Sequence, residues 1–350
     1  MKLSPEQQFR LISEANRRGV AVLLYPGVSD PAVAEVERVL TADPDIGFFA
    51  VGSPAALDSA GSIDALFVPA GPGAAAAAAD PAVLDLVRQC AAEAHWAAAA
   101  GSGGLILAGA GLLAGRRVAA GSDLASFEAA GAVPAALPLV HHGRIVTSAG
   151  QEAEVRLALE LVATFYKDRY AAAAAEATGH PWRPLGGWSE ADRCWDEDAL
   201  AEAVPAAGAP DAVADLAALA DSLGAMWAES RVFYHRASGR DVLILDRFGD
   251  GSEEDRELLE RIDAEGDAWV EFPLKEDIRE YDLMVDFAED QPGLPARNRL
   301  VSALSGRRPM RHFKDAADRL GLLEDWYAYR DQGLRRIMRR WCDGHDIPYA

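Results

Sequence analysis

The sequence predicts an α/β fold: a parallel sheet covered by helices on both faces, followed by a smaller α+β unit. Three observations predict it. Short apolar runs alternate with amphipathic helical patterns through the first half, which is the order that builds a parallel sheet. Several of those runs stop at glycines, near Gly27, Gly71 to Gly73 and Gly101 to Gly104, where the carboxyl ends of strands would carry a site. Beyond about residue 210 the order changes to a hairpin and then a series of helices.

Each element has its own reason. After a short amphipathic N-terminal helix, GVAVLLYPG reads as a buried strand closed by Pro-Gly. DPAVAEVERVLTA reads as a helix with Asp30 as cap and Pro31 in its first turn. IGFFAVG and IDALFVPAGPG are the next strands, and DPAVLDLVRQCAAEAH is a capped helix. WAAAAGSG reads as a weak strand leading into the short helix LILAGAGLLAG, and DLASFEAAG as a further helix. ALPLVHHGRIVTSAG reads as two strands about a His-Gly turn, which would expose His141 and His142. EAEVRLALELVATFYKDRYAAAAAEA reads as one long helix. The expected domains are 1–175 and 211–350, joined by a linker region, 176–210, whose Trp182, Trp188 and Trp195 call for packing rather than exposure. In the second domain RVFYHRASGRDVLIL reads as a hairpin and DAWVEFP as a strand; Phe313, Trp326 and Tyr327 read as core.

Composition narrows the function. The net charge of −21 disfavours binding to nucleic acid. Cys90, Cys194 and Cys342 have no metal-type spacing and no even count, so neither a zinc site nor a disulfide framework is expected. No cofactor is expected. The polar N-terminus and the lack of an 18-residue apolar run point to a cytoplasmic protein with no membrane span. DRFGDG at Asp246 to Gly251 fails as a calcium loop, because Phe248 stands where an oxygen ligand is needed.

Four segments taken together, VLLYPGV, DALFVPAGPG, LILAGAGLLAGRR and HHGRIVTSAG followed by LALELVATFY, make Gly19–Ala175 similar to the ThiJ/PfpI family. That family is part of the class I glutamine-amidotransferase-like superfamily, and the resemblance is to its isonitrile-hydratase-like branch. It implies a flavodoxin-like sandwich, often a homodimer, with a nucleophilic cysteine at a strand-to-helix elbow, an acid from the first loop and a histidine after the elbow helix. An ungapped match puts Gly101 at the cysteine position. One deletion within the helix puts Ser102 there instead, in the small–x–Ser–x–small setting that suits a strained nucleophile turn. The acid position falls near Ala32, with Asp30, Glu35 and Glu37 out of register, and the histidine position falls at Gly121. Gly71, Gly73, Gly101, Gly103 and Gly121 are thus the candidate pocket and elbow residues. Backbone donors for an oxyanion are expected to survive near Ala70 and Gly71. With acid, nucleophile and histidine all unmatched, the expectation is a non-catalytic domain with a binding or regulatory role. The alternative is a hydrolase or lyase using Ser102.

From about Leu219 onward, FYHRASGRDVLI, YDLMVDFAE, LSGRRPMRHFKDAAD and WYAYRDQGLRRIMRRWC resemble a bacterial family of the UPF series, which implies a fold and no activity. Although the whole chain is acidic, the stretch from Tyr281 onward holds 12 Lys and Arg against 11 Asp and Glu. Arg335, Arg336, Arg339 and Arg340 recur on one side of a helix, opposite Leu334, Ile337, Met338 and Trp341. Arg307, Arg308, Arg311 and Lys314 form a second basic cluster. These clusters are read either as a grip for an acidic protein partner or as structural cations that offset a helix dipole or pair with nearby Asp and Glu; a small-molecule ligand is the other partner expected.

Overall fold

The computed structural model describes residues 17–121, 124–150, 152–185, 211–226, 230–244, 253–274, 278–305 and 308–350. The N-terminal helix, Trp188, Cys194, Trp195, the Asp246 to Gly251 turn and Arg307 lie outside the described residues. The chain divides into two compact units, Met1–Val213 with Asp346–Ala350, and Ala214–His345.

The first unit begins with strand β1 (Arg18–Leu23), helix α1 (Asp30–Leu40), β2 (Ile46–Val51), α2 (Pro54–Ser59) and β3 (Ala65–Val68). It continues through α3 (Ala74–Ala77), α4 (Pro81–Glu93), β4 (Trp96–Ala100), α5 (Gly104–Gly109) and β5 (Arg117–Ala119). Then follow α6 (Leu124–Ala129), β6 (Val133–Ala135), β7 (Leu139–His142), β8 (Ile145–Ser148), α7 (Ala153–Phe165) and α8 (Asp168–Thr178). Six strands form one sheet in the order β2-β1-β3-β4-β8-β7. All its pairings are parallel except β7 with β8. Helices flank this mostly parallel sheet, as a flavodoxin-like fold requires, with α7 on β4 and β8 and α4 on β3. Strand β4 is Trp followed by four alanines, a poor strand former by propensity. It is a strand because it pairs on both sides, with β3 and β8, and small side chains let helices approach closely.

Serine and aspartate before proline start three helices. Ser29, Ser53 and Asp80 each accept from a backbone N–H of the first turn, with proline at the start of the helix. The cap of α1 is therefore Ser29 rather than Asp30. The single long helix expected after Gly150 is two. Tyr166 leaves helical dihedrals and Lys167 is extended; the Tyr166 hydroxyl donates to the Asp45 carbonyl at 2.9 Å. The break turns alanine-rich α8 back onto α7 and α1. Strands β5 and β6, which pair in parallel, were not foreseen: three residues each are too few for periodicity to show.

The chain's last residues, Asp346–Ala350, group with the first unit rather than the second. Tyr349 bridges β7 at His141 with two backbone hydrogen bonds, 2.9 and 2.8 Å. Ile347 and Tyr349 are fully buried.

The second unit holds α9 (Leu216–Ala225), β9 (Arg231–His235), β10 (Arg240–Ile244), α10 (Glu253–Glu265) and β11 (Trp269–Glu271). The rest is α11 (Glu280–Glu289), α12 (Leu294–Leu304), α13 (Pro309–Arg319) and α14 (Leu323–Gly344). Its strands form an antiparallel sheet in the order β10-β9-β11. Met284, Phe287, Leu300, Phe313 and Trp326 form a core, in which the rings of Phe313 and Trp326 meet edge-on at 5.0 Å. Tyr327, expected in this core, is 45% exposed. It follows Trp326 in α14 and so points about 100° away from the buried face.

Candidate functional site

The strand order reverses between β1 and β3, so the crevice at their carboxyl ends is where an open α/β sheet places a ligand. Here the two loops that would border it are knitted together. Gly73 N–H donates to Gly27 O at 3.0 Å, and Ser29 N–H to Ala70 O at 3.3 Å. The buried Tyr25 hydroxyl donates to Pro69 O at 2.9 Å. Burial first, and the Glu154 charge second, push its pKa up to about 12, so it stays a neutral donor. Glycine is required where the loops touch. A Cβ on Gly73 would lie 2.0 Å from Pro26 O, and one on Gly71 2.5 Å from Gly27 O.

The elbow follows β4. Gly101 has φ +48°, and a 3₁₀ turn over Gly101–Gly103 leads into α5. The residue with left-handed backbone at the turn is thus Gly101, a conformation open to glycine without strain. A Cβ there would meet only Ala70 Cβ, at 3.4 Å, so the space exists and the side chain does not. Gly103 has no such space, since its Cβ would lie 2.5 Å from Val68 O.

Ser102 comes one residue later and is half-buried. Its hydroxyl donates to Gly71 O and accepts from Gly71 N–H, both at 3.2 Å. No imidazole or carboxylate hydrogen-bonds to it among the described residues. Of the backbone donors beside the elbow, Gly71 N–H is engaged by Ser102 and Gly73 N–H by Gly27. An oxyanion hole needs donors aimed at empty space.

The other candidates do not converge on the elbow. Asp30 and Glu37 are exposed, and Glu35 pairs with Arg38 and His180. Hydrogen bonds from Arg38 and then His180 hold the Glu35 carboxyl below its usual range. Gly121 follows β5, and a Cβ on it would meet nothing within 4 Å. His95 is exposed at the opposite end of β4.

His141 and His142, expected to be exposed, are both buried. The chain's last residues cover β7, and α7 packs on neighbouring β8. His141 Nε2 lies 3.1 Å from Glu160 Oε1, and its ring stacks on Tyr349 at 4.9 Å. Glu160 was missed, though a lone carboxylate inside the apolar run Leu157 to Val162 is the signal that could have found it, since buried charges are paired. His142 Nδ1 accepts from Arg117 N–H at 2.7 Å. Burial, then the Arg116 charge, hold His142 below its ordinary pKa of 6.5. The unfolded chain therefore binds the extra proton more readily than the folded one. The contribution of a neutral His142 is complete above about pH 6.5 and fades as pH falls below it. Acidification from pH 7.5 to 5 is expected to destabilise the first unit, and His142→Asn to flatten that slope in urea unfolding at each pH. An unchanged slope would refute the assignment to His142.

Among the described residues the thiols offer no ready thiolate. Cys90 and Cys342 are buried and free. Desolvation leads in raising both, with help from Glu93 at Cys90 and Asp343 at Cys342; the Cys90 thiol is pushed up to about 11. Among the described residues no group of three or more His, Cys, Asp or Glu is arranged to hold a metal. No described helix is long and apolar enough to cross a membrane.

On α14, Leu334, Met338 and Trp341 are buried, opposite the four arginines. The arginines are not one bare stripe. Arg336 lies over the Tyr329 ring at 5.7 Å, and Arg339 is engaged as well. Arg335 is half-buried and Arg340 exposed.

The curated relative matched by the second unit's sequence type is a UPF0158 protein of Pseudomonas aeruginosa, 35% identical over 69 residues, which are 19% of this chain and 45% of that protein. The chain thus spans less than half the length of that relative. Solved structures of similar fold include a ThiJ/PfpI family protein from Pseudomonas syringae, at 24% identity and TM-score 0.43, over 48% of this chain and 77% of the other. A cysteine-to-alanine mutant of a DJ-1 superfamily protein from Salmonella typhimurium is 26% identical, with TM-score 0.40, over 47% of this chain and all of the other. A two-domain protein from Anabaena variabilis, with DJ-1/ThiJ/PfpI-like and ferritin-like domains, is 14% identical, with TM-score 0.39, over 88% of this chain and 73% of the other. The model of the DJ-1/PfpI family matches residues 51–164, the stretch that contains β3, β4 and the elbow. The chain therefore carries a DJ-1/PfpI domain at residues 51–164.

Proposed function

We propose that the first unit is a non-catalytic, cytoplasmic DJ-1/PfpI-like domain with a binding or regulatory role, joined to a second unit that engages a partner. One observation supports this reading: the left-handed residue at the elbow is Gly101, and the neighbouring Ser102 hydroxyl is tied to both backbone groups of Gly71. A serine hydroxyl is a weak nucleophile without a base to take its proton, and a base without hydrogen-bond reach cannot take it. The same bond occupies a donor that an acyl-transfer or hydration step would need.

The test is a comparison of the native chain with Ser102→Ala. A fluorophosphonate probe is expected to leave both unlabelled at residue 102. Background hydrolysis of p-nitrophenyl acetate is expected to agree within twofold. Stability is expected to fall by about 1 kcal/mol through loss of the hydroxyl's hydrogen bonds. Probe labelling of Ser102, together with turnover that Ser102→Ala abolishes without unfolding the chain, would establish the hydrolase or lyase reading instead.

A further inference from the structure

Helices α12 and α13 of the second unit leave a groove of about 570 Å³ between them. Arg299 and Ser302 line it from α12, three residues apart; His312 and Arg319 line it from α13, with Ala316 between them and Leu320 just beyond. Positions 312, 316 and 319 share one face of their helix. The groove thus has a polar rim of two guanidinium groups, an imidazole and a hydroxyl, above an apolar floor.

The rim is unpartnered. Arg299, His312 and Arg319 are exposed, and among the described residues none of their side chains makes a hydrogen bond or ion pair. Carboxylates are not scarce in a chain with 55 Asp and Glu against 34 Lys and Arg. Asp315 and Asp318 stand on α13 itself and pair with neither arginine. Two cations left facing one groove repel each other until an anion enters. The volume lies in the range of small-molecule sites, about 300–1,000 Å³. A net charge of −21 repels an extended polyanion or an acidic protein far more than a small anion.

We propose that this groove binds a small organic phosphate monoester. Its phosphate lies between the planar forks of Arg299 and Arg319, which suit phosphate oxygens. Ser302 and His312 offer further donors, and the ester's apolar body rests on Ala316 and Leu320. An inorganic anion would leave the floor wet, and an uncharged molecule would leave the guanidinium groups unpaired.

Titration calorimetry on the full chain tests this with phenyl phosphate, inorganic phosphate, benzoate and phenol. Phenyl phosphate is expected to bind once per chain. Inorganic phosphate and benzoate are each expected to bind at least tenfold more weakly, and phenol not to saturate. Arg299→Gln and Arg319→Gln are each expected to weaken phenyl phosphate at least tenfold while leaving the melting temperature unchanged, because both side chains are exposed and unpaired. Absent saturation by phenyl phosphate, parity with inorganic phosphate or benzoate, or indifference to both substitutions would overturn the proposal. So would a glutamate-rich peptide that binds through Arg299 and Arg319 where phenyl phosphate does not, which would mark the groove as a surface for an acidic protein.

Discussion

Deleting Asp346–Ala350 is expected to destabilise the first unit by about 4 kcal/mol, since full burial of one large apolar side chain is worth about 1.5–3 kcal/mol and two are lost, Ile347 and Tyr349. Two backbone hydrogen bonds to His141 go with them, and the stacked face of the His141 ring opens to water beside Glu160. Tyr349→Ala alone is expected to cost about 3 kcal/mol, the low end for large aromatic truncations. Asp346→Ala is expected to cost less than about 1 kcal/mol, because its ion pair with Arg116 is solvent-exposed. Hydrogen exchange read segment by segment separates these outcomes. Amides of β7 and β8 are expected to lose protection while those of β9 to β11 keep it. Unchanged protection at Val140 and His141 after the deletion would show that the last residues add nothing to the sheet.

Gly73→Ala is expected to cost about 3 kcal/mol, the upper end of typical overpacking penalties. The added methyl would lie 2.0 Å from Pro26 O and 2.9 Å from Gly27 Cα, both main-chain atoms that no rotamer change can move. The loops after β1 and β3 would have to part, breaking the Gly73-to-Gly27 hydrogen bond. Gly121→Ala provides the contrast: its methyl meets nothing within 4 Å and its backbone is outside the left-handed region, so its effect is expected to be within about 0.5 kcal/mol. Equal stability of the two variants in urea unfolding would mean that the crevice between these loops is looser than the contact distances require.

Much of this architecture was legible in the chain. Pro-Gly and Gly-Pro-Gly closures mark the strand ends, and Asp-Pro pairs mark two helix starts, because those residues set backbone dihedrals locally; the short helix capped by Ser53 was not foreseen. The turn after β4 was legible too, since glycines cluster there and Gly101 is the one with positive φ. What stayed hidden depends on distant contacts. Nothing near His141 announces that Tyr349 will stack on it from more than 200 positions away, so a histidine pair at a turn reads as exposed. The break at Tyr166 depends on the Asp45 carbonyl, again remote in sequence. The engagement of Gly71 N–H by Ser102 could not be read from either segment alone. The groove of the second unit was half visible: a basic cluster near Arg311 stood out, but the arginines that line the groove, Arg299 and Arg319, come from two helices whose pairing only the fold reveals.

The placement of Asp346–Ala350 beside β7 also has a consequence for biosynthesis. The ribosome must translate Ala214–His345 before it reaches the segment that covers this edge. At about 5–20 residues per second that is a wait on the order of ten seconds, during which the rim of the nascent sheet stays bare and open to wrong pairing. The edge is most open to mispairing in that interval, and the window closes when Tyr349 pairs with His141.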